Sequence, residues 1–117
     1  MPVPTVILAG VLVLFLLVVG PLRIVGFAPV RQDAEGLGIP YVVYRWLGAS
    51  EVLCAGLIVA GLVQPWVATG AAIYLAVGAV GAMILHLRAG DPAGRWVSAF
   101  CAAALATAVA VLIGLSA

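Results

Sequence analysis

The chain has no lysine and very little charge of either sign. Of its 117 residues 8% are charged, and all five basic side chains are arginines with no basic run or aromatic-rich platform. A nucleic-acid interface needs a clustered basic footprint, so no nucleic acid is expected as a partner. The two cysteines, Cys54 and Cys101, stand far apart inside apolar segments with no C-x-x-C. That excludes the thiol–disulfide relay of a membrane redox enzyme, and each thiol reads as a small buried hydrophobe. One histidine with distant carboxylates makes no recognised metal spacing, so no metal site is assigned. Glycine-rich phosphate loops are missing, and "GASEV" around Ser50 lacks the glycine-flanked serine of a hydrolase elbow. No catalytic residue and no cofactor is assigned, and the chain leans away from being an enzyme.

What the chain has is hydrocarbon. It is 67% hydrophobic with a mean hydropathy of +1.35, where a soluble domain is about half apolar and a quarter charged. It belongs in a membrane. At about 20 residues per span, the length holds about four helices and leaves no room for a soluble domain. The N-terminal "MPVPTVILAGVLVLFLLVVG" lacks the basic region and cleavage site of a secretory signal, so it reads as a retained first span. Four apolar runs stand out, at about 3–25, 40–62, 66–87 and 96–115. None alternates like a barrel strand, and each is long enough to cross as a helix. The expected fold class is an all-α membrane protein, an antiparallel up-down four-helix transmembrane bundle forming one domain over 1–117.

The connections differ. "FAPVRQDAEGLGIP" (27–40) is long and polar, and Pro29 and Pro40 disfavour helix at the residues before them. "VQPW" (63–66) is tight and uncharged, and "RAGDPAGR" (88–95) is a turn by composition. Short second and third connections call for antiparallel neighbours. Trp46, Trp66 and Trp96 lie near span ends, where an indole bridges lipid and headgroup. Arg23, Arg31, Arg45, Arg88 and Arg95 all gather at the first and third connections. The positive-inside rule puts those connections in the cytoplasm and both termini outside, in what is expected to be a bacterial cytoplasmic membrane. Asp33, Glu35, Asp91 and His86 share that end, so the same arginines alternatively build a site. Arg31, Asp33, Glu35, Arg88, Asp91 and Arg95 are most simply solvated or in contact with headgroups.

Small residues dominate the spans. Gly56, Ala60, Gly61, Gly78, Gly81, Ala82 and "CAAALATAVA" (101–110) offer small-xxx-small faces. Lipid gives helices no hydrophobic reason to associate, so close approach through such residues is how they pack. A tight bundle with little internal volume is expected, with Gly48, Gly56, Gly78 and Gly81 as packing positions.

Glu51 stands apart. It lies about ten residues into the second span, ~15 Å along the helix and near the bilayer midplane. A lone charge there costs several kcal/mol, so it is paired, protonated or in use. Counting by three and four, it shares a face with Tyr44, Leu47, Gly48, Cys54 and Ile58. Gly48 leaves space one turn towards the arginine-rich end. Candidate partners are Arg23, His86, Arg88 and, least well directed, Arg45; an arginine fork suits a carboxylate in a low-dielectric site. Two readings stand. Glu51 either bridges helices to Arg23 or His86, or lines a cytoplasm-facing cavity with His86 and an arginine for an ion, proton or lipophilic headgroup.

These residues carry a resemblance. Gly20 and Arg23 late in the first span, "GLGIP" (36–40), "LGASEVLCAGLIVAG" (47–61) with Gly48 and Glu51, and "GAVGAMILHLRAGDP" (78–92) with His86, Arg88 and Asp91 together resemble the DoxX-like family of small four-span membrane proteins. The likeness covers about residues 15–96, with Arg23 where many members carry lysine. It implies a four-helix membrane bundle. The family is named for a subunit of a thiosulfate:quinone or quinol-oxidising complex, and members are linked to oxidoreductase assemblies and chaperone-like roles. This chain shows no ligands for haem, flavin or iron–sulfur, so quinone oxidoreduction is not carried over. The first functional expectation is a non-enzymatic accessory or scaffolding component of a membrane redox complex. Its partners would be the lipid bilayer and other membrane proteins or a homo-oligomer. The alternative is an intramembrane binding or transport module for a quinone, small lipophile or lipid, or a proton, built around Glu51, Arg23 and His86.

Overall fold

The computed structural model describes residues 2–26 and 28–116, with the side chains of Ala93, Arg95 and Ser116 outside the described set. The headgroup or solvent contact expected of Arg95 therefore lies outside the described residues. Every regular element among the described residues is helical: α1 (Val3–Val25), α2 (Ala28–Gly36), α3 (Tyr41–Ala60), α4 (Pro65–Arg88) and α5 (Ala93–Ser116). All but α2 fall in the apolar runs, and each of those four holds a stretch long and apolar enough to cross a membrane. Hydrocarbon offers no partner for an open N–H or C=O, and a helix satisfies its own. The chain is an all-α membrane protein.

Proline and glycine set the boundaries. Pro65 opens α4 at a position that needs no N–H. Gly26 ends α1 in the left-handed region at φ +82°, with its N–H returned to the Leu22 carbonyl. The connection after it contains α2, which the prolines had argued against. Pro29 is tolerated because it sits in the first turn of α2, where the backbone donor has no helical acceptor to lose. α2 stops in a Schellman turn: Gly38 takes φ +68°, and the Ile39 and Gly38 N–H groups donate to the Ala34 and Glu35 carbonyls at 3.0 and 3.1 Å.

The long helices associate as two pairs. α1 packs most extensively on α3, and α4 on α5, with sparser contact between the pairs. The apolar core draws on Leu12 and Leu16 of α1, Ala55 and Ile58 of α3, Ala68 and Ala72 of α4, and Ala106, Val109 and Ile113 of α5. On α3 and α4 the core positions are the late ones of α3 and the early ones of α4, next to the Gly61–Gln64 connection. Towards the arginine-bearing end the pairs part, leaving a cavity of about 780 Å³ between them. The pairs do not close tightly at this end, and the cavity is a groove along which Leu47, Tyr74, Gly78 and Gly81 are exposed. Its cause is visible in the lining: Gly78, Ala79, Gly81 and Ala82 of α4 and Ala99 and Ala102 of α5 have too little side chain to fill the gap.

Candidate ligand-binding cleft

Glu51 is 8% exposed, on a face of α3 it shares with buried Tyr44, Gly48, Cys54 and Ile58. Leu47, expected on that face, is exposed and flanks the cleft instead. The Glu51 carboxylate accepts an ion pair from Arg23 Nη1 of α1. The helix crossing makes this possible. A Cβ on Gly48 would stand 2.6 Å from the Gly20 carbonyl oxygen and 2.8 Å from Arg23 Cβ. Gly48 thus admits the α1 backbone together with the root of the Arg23 side chain. From there the guanidinium reaches Glu51 and lies 5.7 Å from the centre of the Tyr44 ring, near the distance at which a cation feels the aromatic face.

The end of α1 that carries Arg23 is held from outside. Tyr41 Oη donates to the Arg23 carbonyl, and Arg45 Nε donates to the Ile24 carbonyl at 3.3 Å. Those carbonyls belong to the last turn of α1, which has no helical donors left for them. The Tyr41 ring in turn receives Arg31 at 4.7 Å and Arg45 at 5.6 Å. Tyr41 was not among the residues singled out in the sequence. Its place in the first turn after Pro40, four residues before Arg45, is the signal that could have found it. Arg45 does not approach Glu51, because its side chain is taken up by the end of α1.

Beside Glu51 on α3, Ser50 Oγ donates to the Leu47 carbonyl at 2.7 Å. It accepts from Tyr74 Oη of α4 at 3.0 Å, linking the two helix pairs by side chains. His86 does not join Glu51. It is buried, and its Nδ1 lies 2.7 Å from Asp91 Oδ2. A Schellman turn at Gly90 (φ +73°) brings the Asp91 N–H back to the His86 carbonyl at 3.0 Å, so the two side chains meet beneath the end of α4. His86 is thus engaged with Asp91, and neither His86 nor Asp91 lines the cleft. Arg88 is exposed at the same helix end. Asp33 of α2 lies within electrostatic reach of Arg23 and Tyr44, and Asp91 within reach of Tyr44.

Gly56, Gly78 and Gly81 do not bring helices together within the chain. All three are exposed, and a Cβ on any of them would meet nothing within 4 Å. Gly78 and Gly81 instead line the cleft. Small residues permit close approach but do not compel it, and here the parting of the helix pairs leaves the room unused.

The described lining is apolar on most sides. Arg23 and Glu51 are its only charged members, and Tyr44, Ser50, Tyr74 and Ser98 supply hydroxyls. Among the described residues no three His, Cys, Asp or Glu side chains are grouped to hold a metal ion. The arrangement can seat an apolar body against the walls and offer donors and acceptors to one polar end. That division is general to small-molecule sites, where apolar walls give affinity and a few polar groups fix orientation.

No curated protein and no solved structure matches the chain. A family model described as the DoxX-like family matches residues 7–115, a range that holds the entire cleft. With the motifs around Arg23, Glu51 and His86 inside that match, the chain belongs to the DoxX-like family.

Proposed function

We propose that this membrane protein is an intramembrane binding module for a small lipophile. The lipophile's polar end rests at Arg23–Glu51 and its apolar part lies between the two helix pairs. One observation carries the reading: the cleft of about 780 Å³ reaches both members of the ion pair. Small-molecule sites run to about 300–1,000 Å³, so the volume suits a ligand rather than a packing flaw. A quinone falls within this class by size and by its carbonyl acceptors. The two readings of Glu51, partnered or cavity-lining, merge: it is the carboxylate of a pair that faces the cavity. The arginine-bearing end is placed at the cytoplasmic side on the strength of the positive-inside rule.

The accessory-component reading is kept second, on a separate observation. Gly56 and Gly70 face open space on the bundle exterior, where a partner helix could approach closely.

The test is purification in mild detergent, followed by extraction and mass spectrometry of bound lipophiles. Ala82→Phe, which puts a ring on the α4 wall of the cleft, serves as the comparison. The wild type should carry a lipophile that the variant loses. Equal recovery from both, or none above that of an unrelated four-helix membrane protein, sinks the proposal. Stable co-purification of another membrane protein with Ala82→Phe as well as wild type would favour the accessory role.

A further inference from the structure

The charges of the cleft cancel within it. Arg23 and Glu51 are the only charged residues among its described lining, and they are joined to each other. The next carboxylate outward on α4's side, Asp91, is itself engaged with His86. The remaining carboxylate near the site, Asp33 on α2, lies within electrostatic reach of Arg23 but is not part of the lining. What the lining offers beyond the ion pair is hydroxyl groups, those of Tyr44, Ser50, Tyr74 and Ser98.

From this balance we infer that the cleft selects lipophiles whose polar end is uncharged and hydrogen-bonding, and rejects anionic and cationic amphiphiles of the same tail. The inference rests on the reading of the cleft as a ligand site and names the class of ligand it takes. The reason is electrostatic. A charged head brought among low-dielectric walls loses its hydration and finds no unmatched opposite charge. Competing for the pair does not help it: an anion that takes Arg23 strands the buried Glu51, and a cation that takes Glu51 must first break a pair already made. A neutral ketone, quinone or alcohol head leaves the pair intact. It accepts from the guanidinium edge or exchanges hydrogen bonds with the hydroxyls, at the small desolvation cost of a neutral group. Tyr74 of α4, bonded to Ser50 of α3, puts a neutral polar group on the wall opposite the ion pair, so both sides of the cleft address the same kind of head.

The experiment uses the full chain in lipid nanodiscs and three photo-crosslinking probes. Each carries a dodecyl tail ending in a diazirine, and the heads are a primary alcohol, a sulfonate and a trimethylammonium group. Labelled peptides are identified by mass spectrometry. The alcohol probe should label cleft residues such as Leu12, Leu16 and Leu75 at least about tenfold more than either charged probe, which corresponds to about 1.4 kcal/mol of discrimination. Arg23→Gln unmasks a carboxylate and should shift labelling towards trimethylammonium; Glu51→Gln unmasks the guanidinium and should shift it towards sulfonate. The double variant R23Q/E51Q again has no net charge and should return to the alcohol. This arm, with the wild-type ranking, keeps the test readable where a single variant fails to fold.

Sulfonate or trimethylammonium labelling the wild-type cleft as strongly as the alcohol overturns the inference while leaving a ligand site in place. So does a selectivity that is unchanged in both single variants. Failure of all three probes to label the cleft overturns the inference together with the ligand-site reading beneath it.

Discussion

Gly20 of α1 and Gly48 of α3 face one another where the two helices cross, close enough that a Cβ on Gly20 would lie 3.0 Å from the Gly48 carbonyl oxygen. Backbone stands against backbone at this point, so neither helix can yield by moving a side chain. Three residues further along each helix, Arg23 and Glu51 form their ion pair. The crossing sets the pair.

Gly48→Ala should therefore destabilise the protein, by about 1–3 kcal/mol, because the added methyl presses on the α1 backbone. Gly78→Ala is the control. It has open space around it and gains helix propensity of up to about 1 kcal/mol, so it should be neutral or stabilising. Thermal unfolding in detergent measures both. Similar losses from the two would mean that the crossing is looser than the structure has it.

Breaking the ion pair should be asymmetric. The Arg23 side chain is 29% exposed and that of Glu51 10%, so an orphaned arginine can turn towards water or headgroups more easily than an orphaned carboxylate. Glu51→Gln should cost about 1 kcal/mol and Arg23→Gln about 3 kcal/mol, with the double variant recovering part of the larger loss. A double-mutant cycle of unfolding midpoints checks this. A Glu51→Gln variant with neither a stability loss nor a change in ligand binding would defeat both roles assigned to that residue.

Tyr41→Phe should lose about 1 kcal/mol by removing the donor to the Arg23 carbonyl. The ring contacts of Arg31 and Arg45 survive in phenylalanine. Tyr41→Ala removes those as well and should lose more. Hydrogen exchange across residues 20–26 would show whether the end of α1 frays in step with the stability loss.

His86→Ala should loosen the turn after α4, since it strands Asp91 beside a buried gap. We expect faster amide exchange at residues 87–94 and a loss of about 1–2 kcal/mol, with ligand binding unchanged. Loss of binding with an intact fold would instead return His86 to the ligand site.

How far the site could be read from the chain differs residue by residue. That Glu51 needed company followed from one carboxylate in hydrocarbon, and helical spacing puts Gly48, Tyr44, Cys54 and Ile58 on its face. His86 and Asp91 were legible only as members of the same polar end, because their pairing depends on a left-handed Gly90 that folds Asp91 back. α2 was obscured by Pro29, which is a breaker inside a helix and harmless in its first turn. Gly56, Gly78 and Gly81 looked like packing positions because small residues allow either contact or space, and composition does not say which.

The sequence by itself determined that the protein is helical, that it belongs in a membrane, and which runs are long and apolar enough to cross one. Those properties follow from the length and apolarity of continuous segments in a solvent that leaves no backbone group unmatched, and they need no knowledge of neighbours. The choice of Arg23 over His86, Arg45 and Arg88, and the cleft beside it, were decided by tertiary structure. Which side chains meet depends on where two backbones can touch, at Gly20 and Gly48, and on where two helix pairs fail to close, beside Gly78, Gly81 and Ala82.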